Sequence, residues 1–329
     1  MKKMINNPEN IVNEMVTGMI KSFPKRFRQV NDLPIIARFD KKKDKVALVS
    51  GGGSGHEPAH AGYVGHGMLD AAVCGEVFTS PSADKVFEAI KAVDGGRGVL
   101  LIIKNYSGDV MNFEMAAELA AMEGIEVKKI IVDDDIAVEN STYTVGRRGI
   151  AGTIFVHKIV GAGAELGYTL DKLEELGNKV IKNTKTMGMS LTPCYVPTTG
   201  KLSFELPEDE VEIGLGIHGE PGTHREKFKD ANTHVEYLLD KILGESNIKD
   251  EEVAVMINGL GSTTLMELFV ISNKVSDILK EKNIKVFDTL VGNYMTSLDM
   301  EGFSISILKL DKETKGLLME KADTLGLHR

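Results

Sequence analysis

The chain has 329 residues, 42% apolar content and a formal net charge of −9, which suits a globular protein of about two domains. It has no basic tract, which argues against nucleic acid as the main partner. Its N-terminal segment turns polar and acidic early, and no apolar run has the length of a membrane span. We therefore expect a cytoplasmic protein. Cys74 and Cys194 are the only cysteines, too few for a disulfide framework or a Cys-rich metal site.

Strand-like and helix-like segments alternate through the first half of the chain. The apolar run Val46–Val49 predicts a strand that ends in a flexible loop of glycines. The runs Gly98–Ile103 and Ile125–Val132 predict further strands. This alternation favours a largely parallel sheet covered by helices. Apolar periodicity predicts five helices in this half. One begins after Asn7, one begins after Ser82 and one contains Met115, and the other two lie near Arg147–Leu166 and Leu170–Ile181.

The pattern changes near Asn183, and we place a domain boundary there, between residues 1–183 and 184–329. Glu210–Ile217 alternates with period two, which predicts a strand with one buried face. The expected fold class is α/β, with two α/β domains whose mixed, largely parallel sheets are covered by helices. Further strands are predicted at Glu252–Ile257, Ile284–Leu290 and Phe303–Leu310, and helices at His234–Leu243 and Thr264–Lys282.

The glycine-rich stretch after the first strand has the composition of a ligand site. Gly51–Gly55 leaves peptide N–H groups bare, so a small polar ligand can approach the backbone closely. In open α/β sheets, ligands bind where parallel strands end. The stretch lacks the Gly-Lys-Ser/Thr of a Walker A motif and the spacing of a dinucleotide fingerprint. Ser54 is not a nucleophile elbow, because His56 stands where that motif has glycine. The sequence offers no recognisable nucleotide site.

A zinc site is the sharpest competing interpretation of the same stretch. The run His56–His60 fits H-E-x-x-H, and His66 has the spacing of a third ligand. That motif requires a continuous helix, whereas glycines precede it here and Pro58 lies between the two histidines. Tyr63 also replaces the glycine of the longer signature. We therefore consider zinc the weaker hypothesis and expect no bound metal.

Other polar residues lie at the ends of predicted strands. Asp109 follows a buried strand at the same sheet edge as His56, although an aspartate there is often only a helix cap. His218 ends an alternating strand among glycines, which give a ligand access to its imidazole. The carboxylates of Asp133–Asp135 could hold magnesium or form a charged loop. Arg147–Arg148 could bind a phosphate or pair with those carboxylates.

Five stretches together resemble the substrate-binding subunit of the dihydroxyacetone kinase family. They are SGGGSGHEPAHAGYVGHGMLDAAVCGEVFTSP, LLIIKNYSGDVMNFEMA, TVGRRGIAGT, GIHGEPG and GNYMTSLDMEGFSISILKL. The resemblance covers nearly the whole chain and implies a homodimer that binds dihydroxyacetone covalently, as a hemiaminal on His218. It implies that Asp109 accepts the proton of the hydroxyl that attacks phosphorus, and that His56 assists. The residues implied to hold the substrate hydroxyls are Gly53, Ser54, Gly55, His56, Lys104 and Asp109.

The resemblance also implies partners. Single-chain members carry a nucleotide-binding domain for which this sequence has no room, so a separate kinase subunit is expected to carry ADP or ATP with magnesium. A phosphotransferase protein would rephosphorylate that subunit at the expense of phosphoenolpyruvate, and this chain would bind no cofactor of its own. The expected activity is that of a phosphoenolpyruvate–glycerone phosphotransferase. A dihydroxyacetone-sensing transcriptional co-activator without kinase activity is the alternative, because the C-terminal segment has no Trp and GLGSTTLMEL departs from the family pattern.

Overall fold

The computed structural model describes residues 2–41, 43–139 and 145–329, which form two six-stranded sheets covered by helices. Thr144, the first residue of the TVGRRGIAGT stretch, lies outside the described residues. The strands of the first sheet are β1 (Phe27–Gln29), β2 (Ile35–Arg38), β3 (Ala47–Ser54), β4 (Ala71–Val77), β5 (Val99–Lys104) and β6 (Val127–Val132). The helices of this half are α1 (Ile11–Ser22), α2 (Ala83–Val93), α3 (Ser107–Met122), α4 (Thr153–Glu165) and α5 (Leu170–Asn183).

The second half of the chain contains the remaining elements. Its strands are β7 (Thr184–Ser190), β8 (Tyr195–Val196), β9 (Lys201–Leu202), β10 (Glu210–Ile213), β11 (His224–Lys227), β12 (Glu252–Gly259), β13 (Val286–Gly292) and β14 (Gly302–Leu310). Its helices are α6 (Ala231–Ser246), α7 (Leu265–Glu281) and α8 (Lys312–Met319). The strand orders are β1-β2-β4-β3-β5-β6 and β11-β10-β7-β14-β12-β13, and β8 pairs with β9 in a separate two-stranded sheet.

The predicted α/β class with mixed sheets is confirmed, but parallel pairing predominates only in the first sheet. There β4, β3, β5 and β6 run parallel, and β1 and β2 add antiparallel edges. In the second sheet only β12 and β13 are parallel. Parallel neighbours need a crossover connection, and α7 supplies one between β12 and β13. The connection from β13 to β14 contains no helix, so β14 returns antiparallel beside β12.

The predicted glycine loop is largely a strand, which corrects the sequence interpretation. Strand β3 continues through Gly51 and Gly53 to Ser54. A Cβ added at Gly51 would lie 2.4 Å from the carbonyl oxygen of Val73 on β4, and one added at Gly53 would lie 2.6 Å from the amide nitrogen of Thr79. The glycines therefore let neighbouring backbone approach, and they do not form a flexible turn.

The helix predicted near Arg147–Leu166 is shorter than expected. Helix α4 begins at Thr153, because Asp134 binds the backbone just before it. The carboxylate of Asp134 accepts the N–H groups of Ile150 and Gly152, each at 2.8 Å. This contact holds the chain in an irregular conformation up to the first turn of α4.

One apolar core joins the two sheets. A single buried cluster contains Leu48 and Leu100 of the first sheet, Ile159 of α4, and Met256 and Leu308 of the second sheet. Helix α5 contacts β5 and β6 of the first sheet and β14 of the second. The boundary near residue 183 therefore stays a proposal about sequence segments.

None of the helices in the described ranges combines the length and apolar character needed to cross a bilayer.

Candidate active site

The polar residues of the first sheet meet at the carboxyl ends of β3 and β5. Strand β3 leads into His56, β5 ends at Lys104, and the first turn of α3 carries Asp109. A Cβ added at Gly52 would lie 3.4 Å from Oδ2 of Asp109 and 3.5 Å from Nζ of Lys104. Both charged groups therefore end over the bare backbone of this glycine, at the sheet edge where α/β proteins bind ligands.

His218 reaches the same place from the second half of the chain. Its ring centroid lies 4.8 Å from that of His56, 4.6 Å from that of Tyr106 and 5.3 Å from that of Phe78, each with edge geometry. The structure thus brings together His56 and His218, and Asp109 lies close enough to His218 for that ring to lower the pKa of its carboxyl group. All three residues were singled out from the sequence. The two aromatic rings were not predicted, since single aromatic residues in these stretches carry no distinguishing pattern.

The connection between β13 and β14 fixes both histidine segments. The carbonyl oxygen of Thr296 lies 2.8 Å from Nδ1 of His56. The hydroxyl of Ser297 donates to the carbonyl oxygen of Ile217, next to His218, at 2.6 Å. One loop of the second half therefore sets the positions of catalytic candidates that are far apart in sequence.

His56 is held in one tautomer and without charge. A carbonyl oxygen can only accept, so Nδ1 of His56 carries the proton that it donates to Thr296. Nε2 is then a lone-pair acceptor, and it is buried with no hydrogen-bond partner among the described residues. Burial, together with the nearby charge of Lys104 and the ring of His218, holds the pKa of His56 well below its usual 6.5. A neutral imidazole of this kind can accept a hydrogen bond from a substrate hydroxyl.

Asp109 and Lys104 are both buried and incompletely paired. Oδ1 of Asp109 and Nζ of Lys104 have no hydrogen-bond partner in the part of the chain that the structure describes. Burial raises the pKa of Asp109, against the opposing effects of Lys104 and a hydrogen bond from Ser80. Burial lowers the pKa of Lys104, against the attraction of Asp109 and other carboxylates. Buried polar atoms without partners point to a site built for a polar ligand.

Glu220 is a further site residue that the sequence interpretation missed. Its Oε1 lies 2.7 Å from Nδ1 of His218, and its Oε2 accepts the backbone N–H of His218 at 2.9 Å. Burial favours a higher pKa for Glu220, but His218 and Arg148 outweigh it and lower the pKa to about 2. The sequence signal for Glu220 was the H-x-E spacing in GIHGEPG, which does not show how the glutamate side chain is oriented.

Arg147 and Arg148 form ion pairs within the chain, and one of their partners belongs to the acidic run Asp133–Asp135. Arg148 is fully buried, and it donates to Oδ2 of Asp135 at 2.7 Å and to the carbonyl oxygen of Gly214 at 2.7 Å. Arg147 pairs instead with Glu245 at 2.6 Å. The pairing interpretation is confirmed for Arg148, which connects the segment after β6 to the loop that carries His218.

Gly53, Ser54 and Gly55 pack against the end of β4 and the segment that follows it. A Cβ on Gly53 would lie 2.8 Å from the carbonyl carbon of Phe78, and one on Gly55 would lie 2.9 Å from its ring atom Cε1. Gly55 also has φ +104, which disfavours any larger residue. The hydroxyl of Ser54 donates to the carbonyl oxygen of Gly75 at 2.7 Å. Contact between Ser54 and a ligand would therefore use its backbone or its oxygen lone pairs.

The geometry opposes the zinc hypothesis. The segment from His56 to His60 is a turn and not the helix that H-E-x-x-H requires. His60 faces His157, with 2.9 Å between their ring nitrogens, and Nδ1 of His66 lies 3.4 Å from Oε2 of Glu165. In the ranges 2–41, 43–139 and 145–329, no group of three or more His, Cys, Asp or Glu residues is arranged to hold a metal ion.

Comparisons with known proteins agree on one family. A family model described as the Dak1 domain matches residues 17–326, which include every candidate residue above. The chain is 56% identical over 314 residues to the "PTS-dependent dihydroxyacetone kinase 1, dihydroxyacetone-binding subunit DhaK" of Listeria innocua, and the match covers 95% of both chains.

Two solved structures have closely similar folds. One is described as the "dihydroxyacetone kinase operon co-activator Dha-DhaQ", with 39% identity, a TM-score of 0.89, and coverage of 95% of this chain and 97% of that one. The other is the dihydroxyacetone kinase of C. freundii in complex with AMP-PNP and Mg²⁺, with 37% identity and a TM-score of 0.92. The match covers 99% of this chain and 61% of that longer one.

Proposed function

This chain belongs to the Dak1 domain family, and on that basis we propose that it is the dihydroxyacetone-binding subunit of a phosphoenolpyruvate-dependent dihydroxyacetone kinase. The observation that carries the proposal is the convergence of His218, His56 and Asp109 at the carboxyl edge of the first sheet. A subunit similar over 95% of its length, that of Listeria innocua, carries a name describing the same role.

His218 is the proposed site of covalent capture. Its Nδ1 is engaged by Glu220, so Nε2 holds the lone pair that would add to the carbonyl carbon of dihydroxyacetone. The new bond is a C–N bond, and the carbonyl π electrons move to oxygen. Forming the neutral hemiaminal then moves one proton, which Nδ1 gives up and the oxygen gains. Glycerol has no carbonyl and is rejected by chemistry, whatever its size.

Asp109 is the proposed base for phosphoryl transfer. Its unpartnered Oδ1 is free to accept the proton of the terminal hydroxyl as that oxygen attacks phosphorus. The neutral His56 would accept a hydrogen bond from the same substrate at Nε2. Covalent tethering holds the hydroxyl in an attacking position, which can be worth on the order of several kcal/mol.

Lys104 and the end of β3 form the proposed hydroxyl cradle. The ammonium group of Lys104 has three donors and no hydrogen-bond partner among the described residues. The backbone of Gly53 and Gly55, at the end of β3 and directly before His56, is proposed to give further polar contacts to the substrate hydroxyls. Such a cradle suits a three-carbon ketone with two hydroxyls.

The phosphoryl group is proposed to come from a separate kinase subunit. That partner would hold ADP or ATP with magnesium and would be recharged by a phosphotransferase protein at the expense of phosphoenolpyruvate. The partner would have to approach the first turn of α3, where Asp109 lies. Only there could the donor phosphorus reach the tethered hydroxyl. The product would be glycerone phosphate.

The subunit is also proposed to form a homodimer, for which helix α7 offers a surface. Four large apolar side chains near its start are more than half exposed, and we call them the α7 patch: Leu265, Met266, Phe269 and Val270. Contiguous exposed apolar side chains of this size mark interaction surfaces. The adjacent strand β13 lies at the edge of its sheet. The outward-facing backbone N–H and C=O groups of an edge strand can form hydrogen bonds with a strand of a second copy.

A dihydroxyacetone-sensing co-activator is the second candidate function. The observation that favours it is the TM-score of 0.89 to a protein described as an operon co-activator, over 95% of this chain. Such a protein could keep the binding histidine and lack transfer activity. Co-precipitation with a transcription factor, without turnover, would support this candidate.

A coupled transfer assay separates the two candidates. The purified chain is combined with the nucleotide-bearing kinase subunit, the phosphotransferase components and phosphoenolpyruvate, and glycerone phosphate is measured. The kinase proposal predicts product that depends on this chain and on dihydroxyacetone, with none from glycerol. Confirmed ketone binding without glycerone phosphate would contradict the kinase proposal and favour the sensor.

A further inference from the structure

Glu220 contacts the imidazole of His218 more closely than any other carboxylate in the described part of the chain. Both of its oxygens are used by that one residue, Oε1 by the ring at 2.7 Å and Oε2 by the backbone N–H at 2.9 Å. Only 5% of Glu220 is exposed, so water competes little for these contacts. We propose that Glu220 is a positioning residue that fixes His218 in the Nδ1–H tautomer and so keeps the lone pair on Nε2.

The charge state of Glu220 supports the tautomer that the geometry indicates. An ionised carboxylate only accepts hydrogen bonds, and Glu220 stays ionised at any pH well above its pKa of about 2. Nδ1 must therefore be the donor in the 2.7 Å contact. A neutral imidazole carries one ring proton, and placing it on Nδ1 leaves Nε2 nucleophilic. The inference rests on the proposed function only for the electrophile, which is the ketone carbonyl.

The surroundings hold Glu220 in this orientation. A Cβ added at Gly216 would lie 2.1 Å from Oε2 of Glu220 and 2.7 Å from Nη1 of Arg148. The space beside this glycine is therefore taken by a carboxylate and a guanidinium close to each other. Arg148 is itself fixed by Asp135 at 2.7 Å. The positive charge of Arg148 helps to keep Glu220 ionised, and the absence of a side chain at Gly216 leaves room for both groups.

The same contact would also assist the addition step. As Nε2 of His218 bonds to carbon, positive charge develops on the ring and spreads to Nδ1. A buried carboxylate 2.7 Å away stabilises that charge before the ring gives up its proton. Glu220 does not contact the ketone in this scheme, so its effect is exerted through His218.

The substitution Glu220→Gln tests the tautomer directly. The backbone N–H of His218 cannot lose its proton, so the single amide oxygen of Gln would turn towards it. The amide NH₂ would then face Nδ1, which must become an acceptor, and the ring proton would move to Nε2. Ring ¹⁵N NMR of the full chain should show the Nδ1–H form of His218 in the wild type and the Nε2–H form in the variant. Covalent capture of dihydroxyacetone should fall on the order of 10²- to 10⁴-fold, as when the orienting carboxylate of a hydrolase triad is lost.

Glu212→Gln is the matched control. Glu212 fixes the same loop, since it accepts the N–H of Gly222 at 2.9 Å and Nε–H of Arg225 at 2.7 Å. Among the described residues, no hydrogen bond or ion pair joins Glu212 to His218. This variant should keep the wild-type tautomer and capture within about twofold. Glu220→Asp retains a carboxylate and should keep the Nδ1–H tautomer. An Nδ1–H ring of His218 in this variant would support the role of the carboxylate even if Glu220→Gln folds poorly, and an Nε2–H ring would count against it.

Two results would overturn the inference. One is an Nε2–H tautomer of His218 in the wild-type protein, which needs no variant at all. The other is equal loss of capture in Glu212→Gln and Glu220→Gln, which would mean that loop order alone matters. Failure of the wild type to capture dihydroxyacetone would count against the proposed function, whereas the NMR measurement would still decide the role of Glu220.

Discussion

Asp109 shows how burial can prepare a single residue for its proposed chemistry. Its carboxyl group is removed from water, and burial raises its pKa above the usual 3.8 even though Lys104 opposes the shift. A more basic carboxylate is a better proton acceptor near neutral pH. The partial compensation by Lys104 keeps the group ionised over a wider pH range than burial alone would allow.

The substitution Asp109→Asn should separate binding from transfer. Capture of dihydroxyacetone should persist, because the covalent bond forms on His218, while the transfer rate should fall about 10²- to 10⁴-fold through loss of the base. Mass spectrometry would measure capture and the coupled assay would measure transfer. Transfer by the variant at the wild-type rate would rule out Asp109 as the base.

The pH profile of transfer gives a second test of Asp109. As pH falls, the carboxylate is protonated and the base is lost. Because the folded-state pKa is raised, the decline should begin at a higher pH than the usual 3.8 of an aspartate would give. The rate should be measured with a saturating kinase subunit, in a pH range where circular dichroism shows the fold intact. A rate that stays constant down to the usual pKa of aspartate would contradict the assignment.

For single residues, the sequence indicated the groups proposed to react but not the residues that hold those groups in position. His56 and Asp109 follow strands and His218 stands among glycines, and these are signals that a sequence displays. The predicted strand over Glu210–Ile217 was too long, because β10 ends at Ile213 and His218 lies in the turn that follows. Glu220 is only two residues from His218, but the H-x-E spacing does not show that its carboxylate turns back onto the ring. The position of Tyr106 depends on a contact between distant segments, with 4.6 Å between its ring centroid and that of His218. No local spacing encodes such a contact.

Strand β3 shows the same limit for secondary structure. Its glycines have low strand propensity, so the sequence interpretation ended the strand at Val49. The structure continues it to Ser54, because Gly51 lies against the backbone of β4 at Val73. Strands such as β5 and β14, which are rich in β-branched and apolar residues, were predicted to within about a residue at their ends.

The substitution Gly51→Ala tests this account of β3. The new Cβ would lie 2.4 Å from a backbone oxygen of β4, so the two strands would have to separate. We expect a loss of about 1–3 kcal/mol in the free energy of unfolding, as in other overpacked sites, measured by urea denaturation.

Gly18→Ala is the control for Gly51→Ala. Gly18 lies in helix α1, is exposed, and has no atom within 4 Å of its added Cβ. This variant should gain about 0.5–1 kcal/mol, because alanine favours the helix. Equal stability of the two variants would show that the close approach of β3 and β4 is unimportant.

The whole molecule is organised around a core shared by its two halves and a site built from both. The connection between β13 and β14 holds His56 through Thr296 and the His218 loop through Ser297. The sequence predicted an α/β protein of two halves, but it could not show how they pack. Their shared core depends on contacts between α5 and strands of both sheets.

The α7 patch predicts how two copies associate. The substitution Phe269→Glu places a charge on a side chain that is 58% exposed in the single chain, where a second copy would bury it. The variant should sediment near the single-chain mass of 35.8 kDa, and the wild type near twice that value, in analytical ultracentrifugation. Met122→Glu, on the exposed face of α3, should remain a dimer. A wild-type monomer, or a dimeric Phe269→Glu variant, would contradict the assignment.

The central claim is that His218 captures the substrate covalently, and intact-protein mass spectrometry tests it most directly. The wild-type chain incubated with dihydroxyacetone should gain the mass of one ketone molecule without loss of water, and it should gain nothing from glycerol. His218→Ala should show no gain under the same conditions, while circular dichroism confirms that it is folded. A wild-type chain that binds dihydroxyacetone without any covalent mass increase, or a His218→Ala variant that retains the increase, would contradict the account.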